Sequence, residues 1–116
     1  ILNMASTAGV SPRPNLTWYN ASKGAANLLT KSLAVELAPD NIRVNVICPV
    51  IGDTAMLGDF MGVPDTPENR ARFIATIPMG RMSQPRDIAN AAVFLASDEA
   101  SFLTGVELPV DGGRTI

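Results

Sequence analysis

Leu16–Ala38 reads LTWYNASKGAANLLTKSLAVELA. Ala26, Leu29, Leu33 and Leu37 recur at three-to-four spacing, the period of an α-helix, and no proline interrupts the run until Pro39-Asp40-Asn41 turns the chain. Leu28 and Val35 lie off that stripe, so a helix starting near Thr17 or Trp18 is expected to be covered from two directions. The next stretch, IRVNVI (42–47), is a β-branched run of the kind buried on both faces of a parallel sheet. Residues 1–5 form a short apolar strand candidate, joined to the helix by the loop STAGVSPRPN.

Farther along, residues 48–65 read as irregular and rich in Gly, Pro and Asp, a length of loop that usually has a role. Thr66 offers an N-cap oxygen with Pro67 at the first helical position, opening a short helix to about Ile77. A further helix begins near Pro85 with Asp87 in its first turn, and VELPV (106–110) is a last strand before DGGRTI. Strand, helix, strand, helices, strand is the order of a parallel α/β sheet, although three strands are few for one covered on both faces. The apolar start without an initiator Met gives the chain the look of the middle of a domain.

Composition narrows the chemistry. At 116 residues and 47% hydrophobic content, one core is expected and not two. The net charge of −2, with basic residues scattered, argues against nucleic acid as a partner. No apolar run approaches the ~20 residues of a membrane span. The single cysteine, Cys48, leaves no disulfide framework, which fits a soluble protein of the reducing cytoplasm. With no histidine, the usual zinc sites and a Ser-His-Asp triad cannot be assembled, and a serine hydrolase is further excluded by the lack of Gly-x-Ser-x-Gly. Acid–base chemistry falls to Tyr, Lys, Asp or Glu.

Tyr19 and Lys23 are four apart, hence on one helix face. A free phenol has a pKa of ~10, and a neighbouring ammonium favours its charged form. Such a pair can pass a proton to or from an alcohol or carbonyl oxygen. Ser6, just past the first strand, is placed to hold the same oxygen, since ligands of α/β sheets bind at the carboxyl ends of strands. Alone, Tyr-x-x-x-Lys is a common chance spacing and Ser6 an ordinary turn residue.

They are not alone. ILNMASTAG, YNASK, RVNVICPVIGDT and FLASDEASFLTGVELPVDGG together resemble the short-chain dehydrogenases/reductases over essentially the whole chain. The resemblance implies the C-terminal half of a Rossmann-type doubly wound parallel sheet and an NAD(P)-dependent oxidoreductase interconverting a secondary alcohol and a ketone. It also implies roles: Tyr19 as proton donor or acceptor, Lys23 as its activator and a ligand of the nicotinamide ribose, Ser6 as a ligand of the reacting oxygen. Pro49, Val50, Ile51 and Thr54 fall on the cofactor-contacting segment, with Val50 standing where the family usually has glycine. Residues 53–77 correspond to a substrate lid, for which Met56, Met61, Met79 and Met82 are either flexible pocket lining or core filling. The 18–38 helix corresponds to an element packed against a partner subunit, implying a homodimer or homotetramer when intact. No glycine-rich turn opens a helix after a strand, so the dinucleotide-binding half is expected to lie outside these residues. The competing reading is a non-catalytic remnant that at most associates with other subunits. Neither the substrate nor the choice of NAD or NADP is legible.

Overall fold

A computed structural model describes residues 1–116. Three strands, β1 (Leu2–Met4), β2 (Asn45–Pro49) and β3 (Glu107–Val110), form one parallel sheet in the order β1-β2-β3. Leu2 pairs with Asn45, and Val46 with Glu107. Parallel neighbours need long crossovers, supplied here by α1 (Thr17–Leu37) and by the segment holding α2 (Leu57–Met61), α3 (Pro67–Ile74) and α4 (Pro85–Ala96). Central β2 is the most buried element: Val46, Ile47 and Cys48 have no exposed surface. Val46 and Cys48 pack with Ala5 and Ala26 beneath α1, while α4 touches all three strands.

β2 is displaced from the IRVNVI reading. Val44 is fully buried, as its side chain suggests, but its N–H donates to Thr104 Oγ1 and its carbonyl accepts from Gly105, so the strand ladder starts only at Asn45. At the other end pairing continues to Pro49, opposite Val110.

Helix α1 spans the expected residues, but its buried face overlaps the expected stripe only in part: Ala26 packs on the core and Leu33 and Leu37 are half-buried. Asn27, Thr30 and Ala34 meet the sheet, and Leu29 is 54% exposed. The cause is polar: Thr30 Oγ1 accepts from Asn3 Nδ2 at 2.9 Å, and the Cys48 thiol donates to Asn27 Oδ1 at 3.5 Å. Two hydrogen-bonded polar residues occupy the positions that the apolar stripe would have claimed. The opposite face carries Trp18, Leu28 and Val35 at 87%, 67% and 78% exposure, so two-sided burial does not occur within this chain.

The 48–65 stretch is less irregular than its composition suggests, for α2 forms and ends at Gly62, whose φ of +63° suits glycine. Leu57, Met61 and Met82 make a small core there, so core filling holds for Met61 and Met82, whereas Met56 and Met79 are exposed. Thr66 caps α3 as read, its Oγ1 accepting from Asn69 N–H, but the helix ends at Ile74 and not Ile77. The 53–77 segment is tied at its base: Gly52 bridges to Ser83, and Asp53 N–H donates to the Ser83 carbonyl at 2.9 Å. Arg70 adds a clasp, forked onto Asp65 and reaching Asp53 at 3.0 Å.

Asp87 starts α4. Its Oδ2 accepts from Gln84 N–H at 2.8 Å and the carboxylate takes a forked pair from Arg81. The Arg81 hydrogen bond first, then that of the Gln84 amide, holds its pKa down at about 2, below an ordinary aspartate. A depressed carboxylate stabilises the fold above its unfolded pKa of ~3.9 and loses that contribution as pH falls toward the folded value. Asp87→Asn should therefore lower the unfolding midpoint at neutral pH, with the gap from wild type closing between about pH 4 and pH 2. A gap that persists unchanged at pH 2 would refute this assignment.

Candidate active site

Ser6 follows β1 and begins a 3₁₀ turn, Thr7–Gly9, its Oγ accepting from Ala8 N–H at 3.1 Å. That use of a lone pair leaves the hydroxyl proton to donate elsewhere. Gly9 fixes this turn against α1. A Cβ on Gly9 would lie 2.7 Å from the carbonyl carbon of Lys23 and 2.8 Å from Gly24 N, so the two backbones meet where only glycine fits. The turn bearing Ser6 and the helix bearing Tyr19 and Lys23 are thus locked in register.

Ser6, Tyr19, Pro49, Val50, Ile51 and Thr54 all line one cleft of about 230 Å³ at the carboxyl end of the sheet. Lys23 is not on its wall. Its ammonium lies 5.7 Å from the centre of the Tyr19 ring, behind it, and donates to the Met4 carbonyl at 3.4 Å. From α2, Phe60 packs edge-on against Tyr19, ring centres 5.5 Å apart. The arrangement sets a phenol and a hydroxyl at the surface of a half-apolar cleft, with a cation behind the phenol. Its chemical capability is proton transfer to or from an oxygen held by Ser6 and Tyr19. Cys48 takes no such part: burial pushes its thiol up to about 11, so it stays protonated and inert.

Several wall residues carry no signal in the sequence. Phe60 sits on α2, which composition disguised as loop. Ser83 reaches the cleft by backbone pairing with the 51–53 strap, a contact without a side-chain pattern. Arg13, in the Pro-flanked loop before α1, also lines the cleft.

The sequence model of the family described as enoyl-(acyl carrier protein) reductase matches residues 1–115. The chain belongs to the short-chain dehydrogenase/reductase family. It is 58% identical to a 4-formylbenzenesulfonate dehydrogenase of Comamonas testosteroni, covering 100% of this chain and 46% of that protein. It is 44% identical to an inactive 2-(S)-hydroxypropyl-CoM dehydrogenase of Xanthobacter autotrophicus, over 99% of this chain and 50% of the relative. A crystal structure of 3-ketoacyl-(acyl-carrier-protein) reductase from Brucella melitensis complexed with NADH superposes with a TM-score of 0.91 at 52% identity, over 100% of this chain and 44% of that one. The chain spans about half the length of the curated relatives it matches. The α/β reading and the family resemblance therefore stand, the fold being that of Rossmann-type short-chain dehydrogenases/reductases. No helix is long and apolar enough to cross a membrane.

Proposed function

We propose that these residues are the catalytic and lid half of an NAD(P)-dependent oxidoreductase that interconverts an alcohol and a carbonyl compound. One observation carries the reading: Ser6 and Tyr19 share a cleft with the 49–54 segment, and the Lys23 ammonium stands behind the Tyr19 ring. Tyr19 protonates the carbonyl oxygen in reduction and takes the hydroxyl proton in oxidation, and Ser6 donates a hydrogen bond to the same oxygen. Lys23, with hydrogen-bonding capacity beyond Met4, holds the ribose from behind the Tyr19 ring. Pro49, Val50, Ile51 and Thr54 form the wall where the nicotinamide end fits, and the bound cofactor supplies or accepts hydride there. The NADH complex of the Brucella relative supports this choice of cofactor.

The pyrophosphate-receiving turn belongs to an N-terminal half of the same domain. The unpaired edge of β1 and a chain in which only 19 of 116 residues are buried fit a partner half that completes sheet and core. The exposed outer face of α1 fits a contact between subunits in a homodimer or homotetramer. The alternative, a non-catalytic association module, draws support from the relative named inactive. The deciding assay follows nicotinamide absorbance in the protein carrying both halves, with NAD and NADP, against secondary alcohols, ketones and aromatic aldehydes. Cofactor-dependent turnover is expected. Its absence with both dinucleotides across the panel would leave the association module.

A further inference from the structure

Beside the cleft lies a second cavity of about 310 Å³, which shares Thr7, Arg13, Val50 and Ile51 with it. Three arginines from three separate segments line it: Arg13 before α1, Arg72 on α3, and Arg114 in the tail after β3. No Asp or Glu is on its wall. The chain's salt bridges are made by Lys31, Arg70 and Arg81, and its guanidinium hydrogen bonds by Arg43, Arg70 and Arg81. Arg13, Arg72 and Arg114 make neither.

Two of the three are placed by a specific local feature. Arg13 lies over the face of Phe73, 5.1 Å from the ring centre. Arg114 lies in the turn fastened by buried Asp111, whose Oδ1 accepts from Gly113 N–H and whose Oδ2 accepts from the amide and hydroxyl of Thr115. Burial and the nearby charge of Arg114 both disfavour the Arg13 cation and lower its pKa from the ordinary value. Gathering like charges on one wall is unfavourable unless something of opposite charge is brought to it. The apolar lining, Met61, Val63 and Phe73, provides room for a hydrocarbon body beside those charges.

We propose that this cavity holds the far end of the substrate, and that this end is a carboxylate or sulfonate on a small apolar or aromatic body. The proposal rests on the oxidoreductase reading for its reactive end: the carbonyl or alcohol faces Ser6 and Tyr19, and the anion faces the three guanidinium forks. Forked N–H donors match planar carboxylates and the oxygens of sulfonates, so arginine is the residue suited to this task.

The test uses the protein carrying both halves, with 4-formylbenzenesulfonate and the neutral 4-methylbenzaldehyde as matched substrates. The anionic aldehyde should show a kcat/KM at least about tenfold higher, the smallest return of one charge-assisted hydrogen bond. Arg72→Gln should bring that ratio toward parity mainly through KM, and Arg72→Lys should restore part of it, because a remote contact contributes to ground and transition states alike. Calorimetry with benzenesulfonate, which cannot react, should show binding weakened about tenfold by Arg72→Gln and by added salt. Equal kcat/KM for the two aldehydes, or benzenesulfonate affinity unchanged by both Arg72→Gln and Arg114→Gln, would overturn the assignment. Arginine-dependent benzenesulfonate binding without turnover of either aldehyde would uphold the cavity and sink the hydride-transfer reading instead.

Discussion

Tyr19→Phe, in the protein carrying both halves of the domain, should lower kcat by ~10²–10⁴-fold, the usual contribution of a positioned acid–base group. The substitution deletes one oxygen and keeps the ring, so the edge-on contact with Phe60 is retained. The Tyr19 hydroxyl makes no hydrogen bond within the chain, and the Ser22 hydroxyl donates to the Tyr19 backbone carbonyl, which the substitution leaves in place. The unfolding midpoint should accordingly match wild type, which separates loss of chemistry from loss of fold. Retention of more than about a tenth of wild-type kcat would reject Tyr19 as the proton-transfer group.

Gly9→Ala should have the second large effect, by geometry alone. The new methyl meets the Lys23 carbonyl and the Gly24 amide, both backbone, so no side chain can swing aside to admit it. The turn must lift from α1, at a cost typical of overpacking, about 1–3 kcal/mol. Ser6 caps that same turn, so its hydroxyl moves relative to Tyr19, and a displacement of about 1 Å at a reacting group can cost ~10²-fold in rate. Gly24→Ala is the control. Its Cβ would meet only the Gly9 carbonyl oxygen, at an ordinary 3.8 Å, and alanine is better than glycine inside a helix by up to about 1 kcal/mol. Gly24→Ala should therefore keep activity and unfold no more easily than wild type. Equal behaviour of the two variants in urea unfolding and in kcat/KM would refute the locked-register account.

The elements most legible in the sequence were those whose signals are local. Thr66-Pro67 and Pro85 with Asp87 mark helix starts by hydrogen-bond and backbone chemistry that operates within a few residues, and both begin helices. Ser6, Tyr19 and Lys23 were legible through their spacing together with the family resemblance, and the fold brings the first two to one cleft. What failed depended on long-range partners. The sheet-facing side of α1 is set by Asn3 and Cys48, so counting apolar residues along the helix selected Leu29 in error. The start of β2 is set by Thr104 and Gly105, some sixty residues downstream. Arg13, Arg72 and Arg114 look like scattered surface charges in the sequence, and only the fold makes them neighbours of one cavity.

The central position of β2 has a kinetic consequence. Its hydrogen bonds join Asn45 to Ile1 on one side and to Val106, 61 residues away, on the other, whereas the helices need only near neighbours. Ordering such distant segments carries an entropic cost before any pairing rewards it, so sheet assembly is expected to limit the folding rate after the helices have begun to form. Until β2 is seated, neither neighbouring strand has its partner, and a newly made chain presents open strand edges and apolar helix faces together. Substitutions that weaken β2 should thus appear first as lost yield during synthesis and only afterwards as a lower unfolding midpoint of the protein that is recovered.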